Sequence, residues 1–173
     1  MPAPYPTEHL GWFQRTTTKP GNVIPNVVGR ALGSDGTFAD VPFSTFYDPE
    51  SRAHSVVIIV AGWAVGGLTD ETTRALIGAR VDGVLVVAVL GDGPSGTATD
   101  DTARAFATAT SAPYVFVDPK NTMLGNIFDG AGSPFIIALD ARTMEIVYAN
   151  GGAVPAKFAK ETHDDVLSRP PAY

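Results

Sequence analysis

The side chains that most often carry out chemistry in proteins are few and scattered in this sequence. It contains no cysteine, so it offers no thiolate as a nucleophile or a metal ligand. Its three histidines, His9, His54 and His163, lie in different segments and lack the spacing of metal ligands. No serine has a G-x-S-x-G setting, and no phosphate-binding loop motif is present. We therefore expect no metal, no cofactor and no nucleophilic side chain, and we expect the histidines to lie at the surface.

Acidic residues occur in adjacent pairs, at Asp100-Asp101 and at Asp164-Asp165. Neighbouring residues on a helix point away from each other, so neither pair can supply the two facing carboxylates of an acid-base mechanism. Both pairs are expected to be helix-cap and surface charges. Residues 91–101 also combine acidic and hydroxyl groups with glycines, but they lack the ligand pattern of a calcium loop, and we expect a solvated loop there.

Two further stretches hold weaker candidate sites. Asn121, Asn126 and Asp129 could surround a small polar ligand, although any turn-rich segment uses these residue types. The main-chain N–H groups of residues 66–68 could hold a small anion at the start of a helix. The acidic residues 70–71 oppose such binding.

Runs of β-branched residues predict the strands that would position these groups. Residues 55–63 and 84–90 are continuous apolar runs, typical of central strands buried on both faces. Between them Leu68, Thr72 and Leu76 recur at helical spacing, which predicts a helix over 69–79 that has Thr69 as its N-cap. Further strands are predicted on both sides of a turn at 35–36 and over 114–117, 133–140 and 146–151, further helices after Thr99 and over 156–167, and an irregular crossing over 119–128.

Together these elements predict a single α/β domain. With 173 residues, of which 45% are hydrophobic and 17% charged, the chain can bury a core of its own. Alternating strands and helices, followed by a hairpin and a closing helix, predict a mixed central sheet with helices on both faces. Proline and glycine recur through residues 1–25, which predicts an extended arm, ordered where Trp12, Phe13 and 23–28 dock, on a domain of residues 26–173.

Charge and hydropathy argue against two kinds of partner. A formal net charge of -6 gives no basic surface for nucleic acid. The longest apolar run, residues 56–68, is shorter than the roughly 20 residues that a spanning helix needs, so we expect no transmembrane segment. The N-terminal residues have neither the basic nor the apolar stretch of a secretory signal.

The order of these elements resembles the thioredoxin superfamily and is most similar to its TlpA and redoxin branch. The matching stretches cover about residues 21–152, with Trp63 at a strand-to-helix turn and Ser133-Pro134 before the next central strand. The resemblance implies a thioredoxin-like three-layer α/β/α sandwich. It also implies a Trp-Cys-x-x-Cys turn that faces a proline in the cis conformation.

The cysteines that the resemblance implies are absent, since Ala64 and Gly67 stand in their places. In the family, the helix N-terminus lowers the pKa of the first thiol, and the thiolate attacks a disulfide. The only sulfurs in this chain are methionine thioethers, which cannot exchange disulfides. Thiol-disulfide exchange by this chain is therefore excluded. Because Gly66-Gly67 weakens the first turn, we expect the helix to begin late, at Thr69.

The remaining candidate binding residues are Trp63, Ser133 and Pro134. In catalytic relatives the proline loop pairs with the main chain of an extended substrate. In this chain it could still hold a peptide through main-chain hydrogen bonds and contact with the indole. Alternatively, Pro134 only shapes the start of a strand and Trp63 only packs.

Two hypotheses of function remain open. In the first, the protein is a redox-inactive thioredoxin-like domain, a pseudoenzyme that binds a protein or peptide partner or self-assembles through the apolar residues of its arm. In the second, it is a thiol-disulfide oxidoreductase of the TlpA type whose cysteines are replaced in this chain. The resemblance further implies an exported location, periplasmic or extracellular.

Overall fold

The computed structural model describes residues 4–6, 20–121, 123 and 133–170. The described strands are β1 Val28–Gly33, β2 Phe38–Pro42, β3 Val56–Trp63, β4 Val84–Gly91, β5 Tyr114–Asp118, β6 Phe135–Asp140 and β7 Glu145–Gly151. The α-helices are α1 Thr69–Gly78, α2 Asp100–Thr110 and α3 Lys157–Ser168, and short 3-10 turns cover Phe43–Phe46 and Pro119–Asn121. The predicted order of strands and helices is confirmed.

The seven strands form one mixed sheet in the order β2-β1-β5-β4-β3-β6-β7. Strands β3, β4 and β5 are parallel neighbours, whereas β6 runs antiparallel to β3 and β7 runs antiparallel to β6. All side chains from Val56 to Ala61 are buried, as expected for a central strand that is covered on both faces. The ends of the parallel strands and the start of β6 therefore meet at one edge of the sheet.

The two faces of the sheet are covered differently in the described part of the chain. Helices α1 and α3 pack on the face that carries Ile58 and Val60, and α2 packs on the same face over β4 and β5. The opposite face is covered by the 3-10 turn and by segments next to β1 and β7, with the buried side chains Val23, Ile24, Phe43, Phe46 and Met144. The mixed α/β architecture is thus confirmed. One face of the sheet is covered by helices, and the other is covered mainly by short segments.

One predicted helix cap is confirmed and one is wrong. Thr99 caps α2, since its side chain accepts from the N–H of Thr102 while the Thr102 hydroxyl accepts from the N–H of Thr99. Thr69 is instead the first residue of α1, after Leu68 at the cap position, and its hydroxyl lies 3.3 Å from Ser133 Oγ. None of the described helices is both long and apolar enough to cross a membrane.

The segment before β1 docks on the sheet at its β7 edge. The N–H of Ile24 donates to the carbonyl of Met144 at 2.9 Å, and the Tyr5 hydroxyl donates to the Ile24 carbonyl at 2.6 Å. Val23 and Ile24 are fully buried, whereas Val28 has an exposed side chain and is held by its pairing with Pro42 of β2. Trp12 and Phe13 lie outside the described residues. The boundary between an arm and a domain after residue 25 stays a prediction.

An ion pair with little exposure ties the β6–β7 hairpin to the end of α3. Arg142 binds both carboxylate oxygens of Asp140, at 2.9 and 2.7 Å, and it also donates to the carbonyl of Val166 at 2.8 Å. The two side chains are only 11% and 10% exposed. Removal of one partner would leave a buried charge without its counterion.

We expect Arg142→Gln to lower the free energy of unfolding by about 3 kcal/mol, because it strands Asp140 in a poorly solvated site. Urea unfolding followed by circular dichroism measures this change. The matched control is Lys157→Gln in the exposed Lys157–Glu161 pair of α3, for which we expect a loss below about 0.5 kcal/mol. Equal losses in the two variants would contradict a structural role for the Arg142 ion pair.

A second carboxylate organises the loop that leads into β3. The main-chain N–H groups of Arg52, Ala53 and His54 all donate to the side chain of Asp48. Partial burial favours the protonated acid, but these three donors outweigh it and hold the pKa of Asp48 below its ordinary value of 3.8.

Because the folded-state pKa of Asp48 is lowered, its contribution to stability is present above pH 4 and is lost as the pH falls through the folded-state pKa. We expect Asp48→Asn to flatten the decline of unfolding free energy between about pH 5 and pH 2.5. Urea titrations across that range measure the slope. The comparison variant is Asp82→Asn, which removes an exposed carboxylate in the turn before β4; a change in slope as large as that of Asp48→Asn would contradict the assignment.

Candidate functional site

The candidate site lies where β3 ends and β6 begins. The last residue of β3, Trp63, is in register with Gly91 of β4, and the N–H of Ala64 donates to the Gly91 carbonyl at 2.9 Å. Across the other edge of β3, Phe135 is in register with Ala61. The peptide bond between Ser133 and Pro134 is cis, as the resemblance implied. The structure therefore brings together the two loops that the sequence pointed to.

Ser133 holds these loops against each other. Its Oγ accepts a hydrogen bond from the N–H of Trp63 at 3.0 Å and lies 3.3 Å from Thr69 Oγ1. A Cβ at position 62 would lie 2.3 Å from Thr69 Oγ1 and 2.5 Å from Ser133 Oγ, so only glycine fits there. Pro134 is buried and Ser133 is half-buried. Of the three predicted binding residues, Trp63 alone presents a large exposed side chain.

The segment between Trp63 and α1 is not helical. Gly66 and Gly67 have φ angles of 79° and 89°, which side chains other than glycine rarely adopt. The helix begins at Thr69, as the glycine pair predicted. Ala64 thus lies five positions before the first helical residue, away from the N–H groups that would stabilise an anion.

The indole of Trp63 packs on the glycine-rich loop that follows β4. A Cβ at Gly93 would lie 2.5 Å from Trp63 Cγ, so the ring rests directly on the main chain at that position. The side chain of Asp92 accepts from the N–H groups of Ala98 and Lys120, at 2.7 and 3.3 Å, and so fixes the loop. As expected of a solvated loop, Pro94, Ser95 and Thr97 are exposed and the segment leads into α2, while its Gly93 supports the indole.

Exposed apolar surface is concentrated at this site. Among the described residues, the large apolar side chains that are exposed are Val28, Trp63, Val65, Leu68 and Leu167. Trp63 is 38% exposed, Val65 39% and Leu68 47%. Leu68 shares helical spacing with Thr72 and Leu76, but α1 begins after it and its side chain is exposed. The exposure of Val65 and Leu68 had no signal in the sequence.

A groove of about 500 Å³ runs from this apolar surface between α1 and α2. Its walls include Trp63, Val65, Asp70, Thr102, Phe106 and Ala109. Trp63 and Val65 form one end, and Ala109 lies near the C-terminal end of α2. The groove can receive an extended apolar group, but it presents no nucleophile or base.

The other candidate residues are used in the structure as local contacts. His54 and His163 are both partly exposed, with His54 Nε2 2.9 Å from the Phe46 carbonyl, and His9 lies outside the described residues. Asp100 pairs with Arg30 and Asp164 pairs with Lys160, which confirms their assignment as surface charges.

The weaker candidate sites gain little from the structure. Asn121 ends a 3-10 turn, whereas Asn126 and Asp129 lie outside the described residues. Asp70 and Glu71 occupy the first turn of α1, where they oppose an anion. The part of the chain that the structure describes contains no group of three or more histidine, aspartate or glutamate side chains placed to hold a metal ion.

Among known proteins, only solved structures are similar to this chain. Neither the models of known protein families nor the sequences of curated proteins match this chain. A candidate protein disulfide isomerase from Bacteroides thetaiotaomicron is 17% identical, with a TM-score of 0.63 over 88% of this chain and 92% of that one.

Two further solved structures are similar to this chain. The thioredoxin domain of a thiol-disulfide oxidoreductase from Bacteroides vulgatus is 15% identical, with a TM-score of 0.60 over 85% of this chain and 96% of that one. A DsbF homologue from Corynebacterium diphtheriae is 16% identical, with a TM-score of 0.60 over 94% and 99% of the two chains. The chain therefore has the thioredoxin-like α/β fold, without a cysteine anywhere in its sequence.

Proposed function

We propose that this protein is a redox-inactive thioredoxin-like module that binds a polypeptide partner at the surface around Trp63. The observation that carries this proposal is the clustering of exposed apolar side chains. Trp63, Val65 and Leu68 are three of the five exposed large apolar side chains in the described part of the chain. Exposed apolar side chains gathered beside a groove are typical of a site for another molecule.

The packing of Trp63 also favours binding. The indole rests on Gly93, and the main-chain N–H of Trp63 donates to Ser133 Oγ. The position of the Trp63 side chain is therefore fixed before a partner binds. A side chain held in this way loses little conformational entropy on binding. Tryptophan is also enriched among the residues that contribute most to protein interfaces.

The Ser133-Pro134 loop is a second feature that favours a partner in an extended conformation. In the described part of the chain, the main-chain N–H and C=O of Ser133 have no hydrogen-bond partner. Ser133 lies two residues before β6 and next to the end of β3, so these groups are available to pair with a peptide in an extended conformation. The predicted binding role of Ser133 and Pro134 would act through the main chain, since the Ser133 hydroxyl is already engaged.

A neutral, labelled peptide, acetyl-Gly-Gln-Ser-Leu-Phe-Val-Ser-Gln-Gly-amide, tests the proposal by fluorescence anisotropy. We expect it to bind the wild-type protein, and we expect Trp63→Ala to weaken binding by about 30-fold, as for a central aromatic anchor. The matched control is Leu167→Ala, which removes another exposed apolar side chain, on α3, and should bind like the wild type.

Thermal unfolding of both variants checks that the fold is retained. No binding by the wild type, or equal binding by Trp63→Ala, would count against the proposal. Light scattering on the same samples tests a second copy of the chain as the partner: a dimer that Trp63→Ala dissociates would assign the surface to self-assembly.

The second hypothesis, an oxidoreductase that has lost only its thiols, predicts that cysteines at positions 64 and 67 restore activity. We expect the variant Ala64→Cys/Gly67→Cys to show no insulin reduction. A side chain at 67 must adopt a positive φ, at a cost of roughly 1 kcal/mol or more. The thiol at 64 would keep a pKa near 8.5, because it lies off the helix N-terminus.

An iodoacetamide reactivity profile against pH measures the pKa of that thiol, with Ala64→Cys alone as the control. Turnover of insulin by the double variant would instead favour the second hypothesis. The exported location stays a proposal from the resemblance to TlpA-type proteins.

A further inference from the structure

An asparagine-glycine pair ends the last strand of the sheet. Asn150 and Gly151 are the final residues of β7, which stands at one end of the strand order. Each other asparagine in the sequence is followed by valine, threonine or isoleucine, whose branched side chains crowd the nitrogen of the following peptide bond. Glycine has no side chain, so only at Gly151 is this nitrogen open to a close approach.

The nitrogen of Gly151 faces the side chain of Asn150 instead of the neighbouring strand. Its N–H donates to Asn150 Oδ1 at 2.9 Å. The next N–H, that of Gly152, donates to the carbonyl of Pro134 at 2.8 Å. Because hydrogen bonds alternate along an antiparallel strand, the N–H of Gly151 points away from β6. The side chain of Asn150 is exposed, so water and hydroxide reach the amide and the nitrogen beside it.

We propose that Asn150-Gly151 is a site of spontaneous modification, where the asparagine is converted to aspartate and isoaspartate. After hydroxide removes the proton of the Gly151 nitrogen, this nitrogen attacks Asn150 Cγ and a new C–N bond forms. The bond from Cγ to the side-chain nitrogen breaks, and ammonia leaves. Water then opens the cyclic imide at either carbonyl. No atom is oxidised or reduced, and this chemistry does not depend on any partner at Trp63.

The isoaspartate product alters the connection between β7 and the loop that precedes β6. When water opens the imide at the main-chain carbonyl, the chain runs through Cβ and Cγ of residue 150 and becomes one methylene longer. Gly152, whose N–H binds the Pro134 carbonyl, is then shifted along the strand. Pro134 follows Ser133, which holds the main chain of Trp63. Modification at the end of β7 therefore loosens one support of the Ser133-Pro134 loop.

Peptide mass spectrometry of the native protein, incubated in mildly alkaline buffer, tests the proposal. Trypsin cleaves after Arg142 and Lys157 and releases a peptide in which Asn150 is the single asparagine. We expect this peptide to gain about 1 Da, the difference between an amide and an acid. The rate should rise in proportion to hydroxide concentration, because the attacking nitrogen must lose its proton. Asn22 and Asn26 share another tryptic peptide, which should keep its mass.

Two glycine variants locate the reaction. Gly151→Ala should slow the mass gain by about tenfold, because a methyl group crowds the approach of the nitrogen. The matched control is Gly78→Ala at the end of α1, where an added Cβ meets nothing within 4 Å; it should convert at the wild-type rate. Equal rates in the two variants would contradict the assignment to Gly151.

The same incubation in urea separates the folded geometry from the sequence alone. If the native protein keeps its mass while the unfolded chain converts, strand β7 protects the pair and the inference is wrong. Hydrogen exchange of the Gly152 amide, followed by NMR, tests the structural consequence. We expect the isoaspartate form to lose the protection that the bond to Pro134 gives this amide. Unchanged protection in that form would show that the loop does not respond to the modification.

Discussion

The end of β3 lies so close to α1 and to the Ser133-Pro134 loop that position 62 has no room for a Cβ atom. Three segments from distant parts of the chain meet there, joined by Ser133 Oγ, the N–H of Trp63 and the hydroxyl of Thr69. This contact fixes where α1 begins and how Trp63 leaves the sheet. The surface around the indole depends on this contact, because it holds both ends of the loop of residues 64–68, at Trp63 and at Thr69.

The sequence predicted the fold well because its signals there are local and strong. Strands β3 and β4 are runs of β-branched residues. Because both of their faces are buried, polar and apolar residues do not alternate along them. Thr69 was assigned wrongly because a hydroxyl before a helix is typical of a cap, whereas its actual neighbour, Ser133, is 64 residues away. Likewise, Leu68 has helical spacing, and only the position at which α1 begins shows that it faces solvent.

The absence of a reactive group at this site involves the main chain as well as the side chains of Ala64 and Gly67. Two consecutive glycines with positive φ lie between Trp63 and α1, so position 64 is outside the first turn of the helix. The side chain of Trp63, by contrast, is held in place. Its indole packs on Gly93, and the main-chain N–H of Trp63 donates to Ser133 Oγ. A rigid aromatic surface is therefore present at this site without a reactive group, since it depends on contacts that do not involve positions 64 and 67.

The contact between Trp63 and Gly93 couples two positions that are thirty residues apart in the chain. Even a methyl group at 93 would displace the ring, whereas a smaller residue at 63 would leave the glycine loop without its cover. In any lineage that descends from this sequence, substitutions at these two positions are therefore expected to arise as a pair, so the aromatic surface is inherited or lost as a unit.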